Sequence, residues 1–364
     1  MHDPHDPSLT PSTQPSTKPA TESAQPTPTW NVQIDRAAVI AAELSLRPQQ
    51  VERTLALLDE GATLPFIARY RKEATDGLGE VEILTISERG AYLTELVTRK
   101  AAVLTEIHKQ GKLTDLLKQR IVKTLSRTEL EDLYLPFKPK RRTRATIARE
   151  RGLEPLAQLI WSQPDSAPSL DELAAPYINA ENSLPDTASV LAGARDIVAE
   201  QISDDAGVRA ALRTFAIETG TLKSRLIKRK EEGDEAPEPG NERAPGEVKA
   251  QPKTDKKDDP ALKFSDYFEY EESAKTIPSH RMLALRRGEK EGVLRVTLEL
   301  DGDKASGVIS QQVVRSLTSP LKVQLRLALE DSWDRLLKPA VEVDVRLALR
   351  ERAAFLTTGN ATTL

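Results

Sequence analysis

The residue types that could do chemistry in this chain are lysine and arginine, and they concentrate in one short stretch. Residues 138–151 hold seven basic residues and a single acid, Glu150, although the formal net charge of the chain is −4. Lysine offers a phosphate a point charge, and arginine offers it two parallel donors. The composition therefore predicts contacts with the phosphates of a nucleic acid. The residues we expect to make them are Lys138, Lys140, Arg141, Arg142 and Arg144.

The basic stretch follows an apolar one within the segment LYLPFKPKRRT, residues 133–143. We expect Tyr134 and Phe137 to anchor this segment in a core, while the two prolines stiffen it and keep the basic side chains pointing outward. A plainer interpretation is equally open, in which the segment is a solvated turn whose charges are paired with nearby acids. Those acids would be Glu129, Glu131 and Asp132.

Two further tracts combine basic with apolar residues. The first, GATLPFIARYRKEATDGLGE at 61–80, places Arg69, Arg71 and Lys72 where they could add phosphate contacts, although Arg69 and Tyr70 could equally be structural. The second spans 278–296 and contains Arg281, Arg286, Arg287 and Lys290. His280, in the same tract, fits a helix start or a packing position better than a catalytic role.

Enzymatic signatures are missing from the sequence. GLGEVE at 77–82 lacks the third glycine of a dinucleotide fingerprint, and no GxxxxGK[ST] phosphate loop or GxSxG elbow occurs. The chain has no cysteine, and only His108 and His280 lie outside the N-terminal tail, which leaves too few side chains for a histidine or thiolate metal site. We therefore expect a protein that is not an enzyme, with no catalytic residue, no metal and no cofactor.

Helical periodicity dominates the chain from 34 to 230. Residues 34–60 predict two short helices joined by a tight turn at Pro48, which resembles a helix-turn-helix but is also typical of a plain helical hairpin. In a DNA-reading pair the exposed side chains would be Gln49, Gln50 and Arg53. Nothing else in the sequence indicates base readout, so any nucleic-acid binding should be sequence-nonspecific.

The remaining patterns define a mainly α fold, an elongated multi-helix scaffold with a small β element. Helices are predicted over 83–109, 114–125, 144–151, 187–219 with a break at 204–207, 322–335 and 339–355. Capping boxes are expected at Thr128–Glu131 and Ser169–Glu172. A strand is predicted at 293–300, ended by a turn at Asp301–Gly302.

Two segments are too polar to form a core. Residues 1–29 contain seven prolines, and residues 231–260 contain five prolines and fifteen charged residues, so we expect a disordered tail and a disordered charged linker or insertion. They delimit two predicted structured regions, 30–230 and 261–364. Neither a signal peptide nor a membrane-spanning run is recognisable. Together with the lack of cysteine, this fits a cytoplasmic location.

Three collinear stretches resemble the bacterial transcription accessory protein Tex family. They are GATLPFIARYRKEATDGL at 61–78, LEDLYLPFKPKRRTRATIARERGL at 130–153 and FSDYFEYEESAKTIPSHRMLALRRGEKEGVLRV at 264–296. The resemblance runs from about residue 34 to 353, outside the 231–260 insertion. It implies a helical scaffold that binds RNA or DNA and works with transcription, with no small-molecule substrate.

The resemblance also implies domains that this sequence does not contain. Members of the family are longer and continue into an RNase H-like domain, helix-hairpin-helix motifs and an OB-fold RNA-binding domain. The sequence therefore looks like the N-terminal half of such a protein. Two alternatives to a nucleic-acid scaffold remain: a protein-interaction module that docks on the transcription machinery or on a separately encoded C-terminal half, and the remnant of a truncated gene.

Overall fold

A computed structural model describes residues 30–139, 142–227 and 260–359. Within these ranges the chain forms fifteen α-helices and one three-stranded sheet, which confirms the prediction of a mainly α fold with a small β element. The predicted tail at 1–29 lies outside the described residues. So does the predicted linker at 231–260, apart from its last residue, Pro260.

The N-terminal helices pack around one long helix. They are α1 (Arg36–Leu44), α2 (Pro48–Asp59), α3 (Leu64–Tyr70), α4 (Glu80–Lys109), α5 (Asp115–Lys123) and α6 (Arg127–Tyr134). All five shorter helices contact α4. The apolar stripe expected on residues 83–109 is the buried face of α4, with Leu93, Val103 and Ile107 in the core. The periodicity of the sequence therefore predicted the central element of this region correctly.

The sequence signals for helix ends also hold here. Pro48 is the first residue of α2, where its fixed φ and missing N–H carry no penalty. Gly61 follows α2 with a φ of +88°, a conformation that a residue with a Cβ rarely adopts. These two residues therefore mark the beginning and the end of α2.

A second group of elements follows residue 143. They are α7 (Arg144–Glu150), α8 (Glu154–Ser162), α9 (Leu170–Ala174), α10 (Thr187–Asp204), α11 (Ala206–Thr219), β1 (Thr221–Leu226), β2 (Glu269–Ser273), α12 (Ser279–Lys290), β3 (Leu294–Glu299), α13 (Gly302–Val313), α14 (Lys322–Asp331) and α15 (Lys338–Gly359). Helix α10 is central and contacts α7, α8, α9, α11 and α14. A π-helical segment, Ser332–Leu337, joins α14 to α15.

The buried apolar side chains form two clusters. One runs from Val32 to Tyr134 and the other from Ala145 to Ala353, so the clusters change over between α6 and α7. The sequence suggested limits of 30–230 and 261–364 for its two regions, and those limits stay a prediction. The changeover falls within the basic segment, residues 138–144 of the sequence.

The small sheet corrects the expectation that residues 34–230 are helical throughout. β1 lies between β2 and β3 and is antiparallel to both, with Leu222 opposite Glu272 on one side and Leu298 on the other. β3 confirms the strand predicted near 293–300. β1 was missed because its six residues carry no strong strand pattern, and its conformation depends on partners distant in sequence.

Two local predictions were wrong, both concerning how a helix begins. The box expected at Thr128–Glu131 lies inside α6, whose N-cap is Ser126, with its hydroxyl accepting from the N–H of Glu129. Asp301 does not start a turn but caps α13, accepting from the N–H groups of Asp303 and Lys304. The box at Ser169–Glu172 is confirmed.

Four charged side chains tie the two cores together. Asp132 on α6 is 4% exposed and lies 2.6 Å from Arg209 and 2.5 Å from Arg213, both on α11. The same two arginines reach Asp344 on α15, at 3.0 and 3.5 Å. The cluster is neutral as a whole, because two carboxylates face two guanidinium groups, and it fixes α6 and the segment that follows it.

None of the described helices is both long and apolar enough to cross a bilayer.

Candidate nucleic-acid interface

The basic segment is held at its apolar end as expected. Leu133 and Tyr134 are buried at the end of α6, and a short 3-10 helix, Leu135–Phe137, continues from it. Phe137 is half-buried and packs on the N-terminal core, and its carbonyl accepts a hydrogen bond of 2.8 Å from the Nε2 of Gln110. This fixes the start of the basic segment at the C-terminal end of α4.

Lys138 is exposed immediately after this anchor. Its charge acts on Glu131, which Arg99 already holds through two hydrogen bonds of 2.6 and 2.9 Å. The hydrogen bonds from Arg99 lower the pKa of Glu131 against the opposing effect of burial, and the charge of Lys138 lowers it further. Among the described residues Lys138 itself makes no ion pair, so its charge remains available.

The remaining described residues of the basic segment differ in whether they form an ion pair. Arg142 is exposed but forms an ion pair of 2.9 Å with Glu150, on α7. Arg144, the first residue of α7, is exposed and forms no ion pair within the part of the chain that the structure describes. Lys140 and Arg141 lie outside the described residues.

The acids that the plainer interpretation assigned to this segment have other partners. Glu129 accepts a hydrogen bond from Thr124, Glu131 binds Arg99, and Asp132 belongs to the cluster that joins the two cores. None of the three forms an ion pair with a basic residue of the segment in the described ranges. The charges of Lys138 and Arg144 are therefore not neutralised by ion pairs with these three acids.

The second basic group lies on α3 and just after it. Arg69, Arg71 and Lys72 are all exposed, and no acid within the described ranges pairs with any of them. Ile67 and Ala68 are buried and fix the helix on the N-terminal core, which turns the basic side chains toward solvent. The expectation that these three residues could reach a ligand stays a prediction, and their exposure is consistent with it.

Sequence reasoning did not offer the aromatic residues of α3, Phe66 and Tyr70, as ligand contacts. Phe66 is 40% exposed and Tyr70 is 73% exposed, so the interpretation of Tyr70 as a structural residue does not hold. The signal was present in LPFIARYRK, because a helix that buries Ile67 and Ala68 has to expose residues on its opposite face. The group on α3 therefore contains both rings and charges.

The two basic groups lie toward opposite ends of α4. The carbonyl of Lys72 accepts from the N–H of Gly77, two residues before the N-cap of α4, whereas Gln110 at the other end binds Phe137. α4 has 30 residues. At the usual rise per residue of an α-helix it is about 45 Å long.

The N-terminal helix pair has the expected helices, but one of its three candidate side chains is not available. Gln50 is 8% exposed, and its amide donates to the carbonyl of Asp76 while its oxygen accepts from Arg47. Gln49 and Arg53 are exposed. Gln50 was misjudged because it lies one residue before the buried Val51, where α2 meets the segment leading to α4. DNA reading by this pair stays a prediction.

The third basic tract is neutralised in part, since Arg287 and Lys290 are exposed and form no ion pair among the described residues. Arg281 pairs with Glu272 at 3.0 Å, and Arg286 lies 3.5 Å from Glu289, which also binds Arg346. Within the described residues no group of three or more His, Asp or Glu side chains could hold a metal ion.

Comparison with known proteins matches most of the chain to two family descriptions, both of Tex-like proteins. Residues 34–108 match the family described as Tex-like protein N-terminal domain, and residues 164–237 and 243–356 match the one described as Tex central region-like. Protein YhgF of Escherichia coli K12 is 42% identical over 295 residues, which are 81% of this chain and 34% of that protein.

Two further relatives agree with this match. Protein tex of Bordetella pertussis is 42% identical over 285 residues, covering 78% of this chain and 32% of that protein. Transcriptional accessory protein Tex of Neisseria gonorrhoeae is 36% identical over 321 residues, covering 86% of this chain and 38% of that protein. The match thus spans only about a third of the length of these relatives.

Proposed function

Because the chain belongs to the Tex family, we propose that it is a non-enzymatic scaffold that binds nucleic acid in association with transcription. The relative from Neisseria gonorrhoeae, named a transcriptional accessory protein, supports the link to transcription. The contacts proposed here go to phosphates, which carry no base information, so the binding is sequence-nonspecific. For this chain the link to transcription is a proposal too, because the match covers only about a third of the length of those relatives.

One observation carries the proposal: exposed cations that form no ion pair among the described residues, although the charges of Lys138 and Arg144 act on Glu131 and Asp196. Arg69, Lys72, Lys138 and Arg144 are exposed, and none forms an ion pair in the ranges that the structure describes. A free cation can bind a phosphate without first giving up an internal carboxylate. Releasing counterions from the nucleic acid then favours binding, most strongly at low salt.

The position of these cations supports a long ligand. The two groups lie toward opposite ends of α4, whose length is about 45 Å. A ligand that contacts both groups has to be extended and negatively charged along its length. Nucleic acids have this property, whereas a single phosphate or a small anion does not.

The test is a pair of charge-matched variants compared by fluorescence anisotropy with short DNA and RNA. Lys138→Gln with Arg144→Gln removes two free cations, and we expect weaker binding and a log-log salt dependence shallower by about two. Lys304→Gln with Arg326→Gln is the control. These residues are 71% and 69% exposed and already pair with Asp301 and Glu330. The control variant should keep the affinity and the salt dependence of the unmodified chain.

Two results would overturn the proposal. Equal salt dependence in both variants and the unmodified chain would show that Lys138 and Arg144 do not contact the phosphates. A folded chain that binds neither DNA nor RNA would instead favour docking on a protein, in which the same cations meet an acidic surface of one partner.

A further inference from the structure

The outward face of α3 exposes two aromatic rings. Tyr70 is 73% exposed and Phe66 is 40% exposed, although aromatic side chains contribute most to stability when they are buried. Ile67 and Ala68, on the opposite face, are in the core and prevent the helix from turning the rings inward. The fold therefore leaves most of Tyr70 and part of Phe66 in contact with solvent.

One cation contacts a ring, and two more are close to Tyr70 in the sequence. The centroids of the Phe66 and Tyr70 rings are 5.5 Å apart, and the guanidinium carbon of Arg71 lies 5.7 Å from the centroid of Phe66. Arg69 and Lys72 are exposed beside them, without an acid partner among the described residues. Rings that offer flat faces, flanked by free positive charge, are the arrangement that binds bases and phosphates together.

We propose that α3 is a base-stacking platform for single-stranded nucleic acid. In it, Tyr70 and Phe66 stack on unpaired bases, and Arg69, Arg71 and Lys72 contact the adjoining phosphates. The proposal rests on the proposed function, because it takes the ligand to be a nucleic acid. It adds a second kind of contact, to the bases, at a site separate from the basic segment.

The geometry favours a single strand over a duplex. In a duplex the faces of the bases are covered by their neighbours, so a side chain cannot stack on them without opening the helix. The two rings are inclined to each other by 41°, so they cannot both lie flat against bases that remain parallel. Their separation of 5.5 Å also exceeds the spacing of about 3.4 Å along one strand of B-form DNA. Bases of a flexible strand, free to tilt and separate, fit both rings.

The basic segment offers no comparable platform. Tyr134 is 7% exposed and lies beneath the guanidinium group of Arg99, and Phe137 packs on the core. The aromatic residues there support the backbone, and only the charges face outward. The two groups should therefore respond differently to the presence of bases in the ligand.

This difference gives the test. The intact chain is titrated by fluorescence anisotropy with a short oligothymidine strand and with an abasic strand of the same length and charge. Stacking should make the base-bearing strand bind about tenfold more tightly. Tyr70→Leu, alone and with Phe66→Leu, should lower its affinity toward that of the abasic strand and leave the abasic strand unaffected. Tyr70 is the more exposed ring, so the single variant should fold normally, which circular dichroism can verify.

Two controls complete the design. Leu116→Ala removes an apolar side chain that is 71% exposed on α5 and should change neither affinity. Lys138→Gln with Arg144→Gln should weaken the binding of both strands equally and preserve the ratio of their affinities. An unchanged ratio in the Tyr70 variants, or equal binding of both strands by the intact chain, overturns the platform and leaves the proposed function standing. Failure of the folded chain to bind either strand overturns the proposed function and the platform with it.

Discussion

Charged residues of this chain fall into two classes with different roles. Asp132, Asp344, Arg209 and Arg213 are turned inward, and the two carboxylates neutralise the two guanidinium groups between the two cores. Lys138, with no acid partner among the described residues, faces solvent only six residues after Asp132. Net charge and local composition do not distinguish paired from unpaired cations, because pairing depends on which acids folding brings close to each cation.

Asp132→Ala is predicted to destabilise the fold strongly. The carboxylate is buried, and its removal leaves two guanidinium groups with only Asp344 to balance them. Such a loss typically costs about 3–5 kcal/mol. Chemical denaturation would measure the change in the free energy of unfolding.

The control for this prediction is Glu106→Ala, which removes an exposed partner of Lys109. Its effect should stay below about 1 kcal/mol, because exposed ion pairs contribute little. If the Asp132 and Glu106 variants lost equal stability, the cluster would not be what holds α6 in place.

Lys100 is a basic residue that cannot reach a ligand, because it is buried in the core. It is fully buried, and its Nζ donates a hydrogen bond of 2.8 Å to the carbonyl of Val122 near the end of α5. Burial lowers the pKa of this lysine, against the opposing charge of Glu129. Its place on the buried stripe of α4, between Leu96 and Val103, could have predicted this structural role from the sequence.

At the scale of elements, what the sequence predicts well is what local chemistry decides. The apolar stripe of α4, the start of α2 at Pro48 and the break before α11 all follow from residues within a turn or two. β1 could not be found in this way, because its hydrogen bonds come from β2 and β3, which lie more than forty residues further along the chain. The exposure of Phe66 and Tyr70, by contrast, follows from the burial of Ile67 and Ala68 on the same short helix.

The junction between α11 and β1 should tolerate only glycine. A Cβ at Gly220 would lie 2.4 Å from the carbonyl oxygen of Ala216 and 2.9 Å from Leu298. Gly220→Ala therefore forces a backbone shift, and we expect a loss of about 1–3 kcal/mol, measurable by thermal or chemical unfolding.

Gly307→Ala provides the matched comparison. Gly307 lies inside α13, and a Cβ there meets no atom within 4 Å. In a helix interior alanine is favoured over glycine by about 0.5–1 kcal/mol, so this variant should gain stability. A Gly220 variant as stable as the Gly307 variant would show that the junction has more room than the contacts indicate.

For the molecule as a whole, the arrangement of the two cores and the free cations is what suggests a scaffold. The basic segment lies where one core gives way to the other, held by α6 and by the cluster around Asp132. The cations of α3 lie toward the far end of α4. The described helices would thus hold two groups of cations apart in fixed positions. No group of metal-binding side chains occurs among the described residues.

The most direct test of nucleic-acid binding is the salt dependence of affinity for single strands of unrelated sequence. If Arg69, Lys72, Lys138 and Arg144 all reach phosphates, the slope of log affinity against log salt should be about −3 or steeper. The slope should also be the same for every sequence. A folded chain whose affinity ignores salt, or that binds one sequence only, would contradict the account.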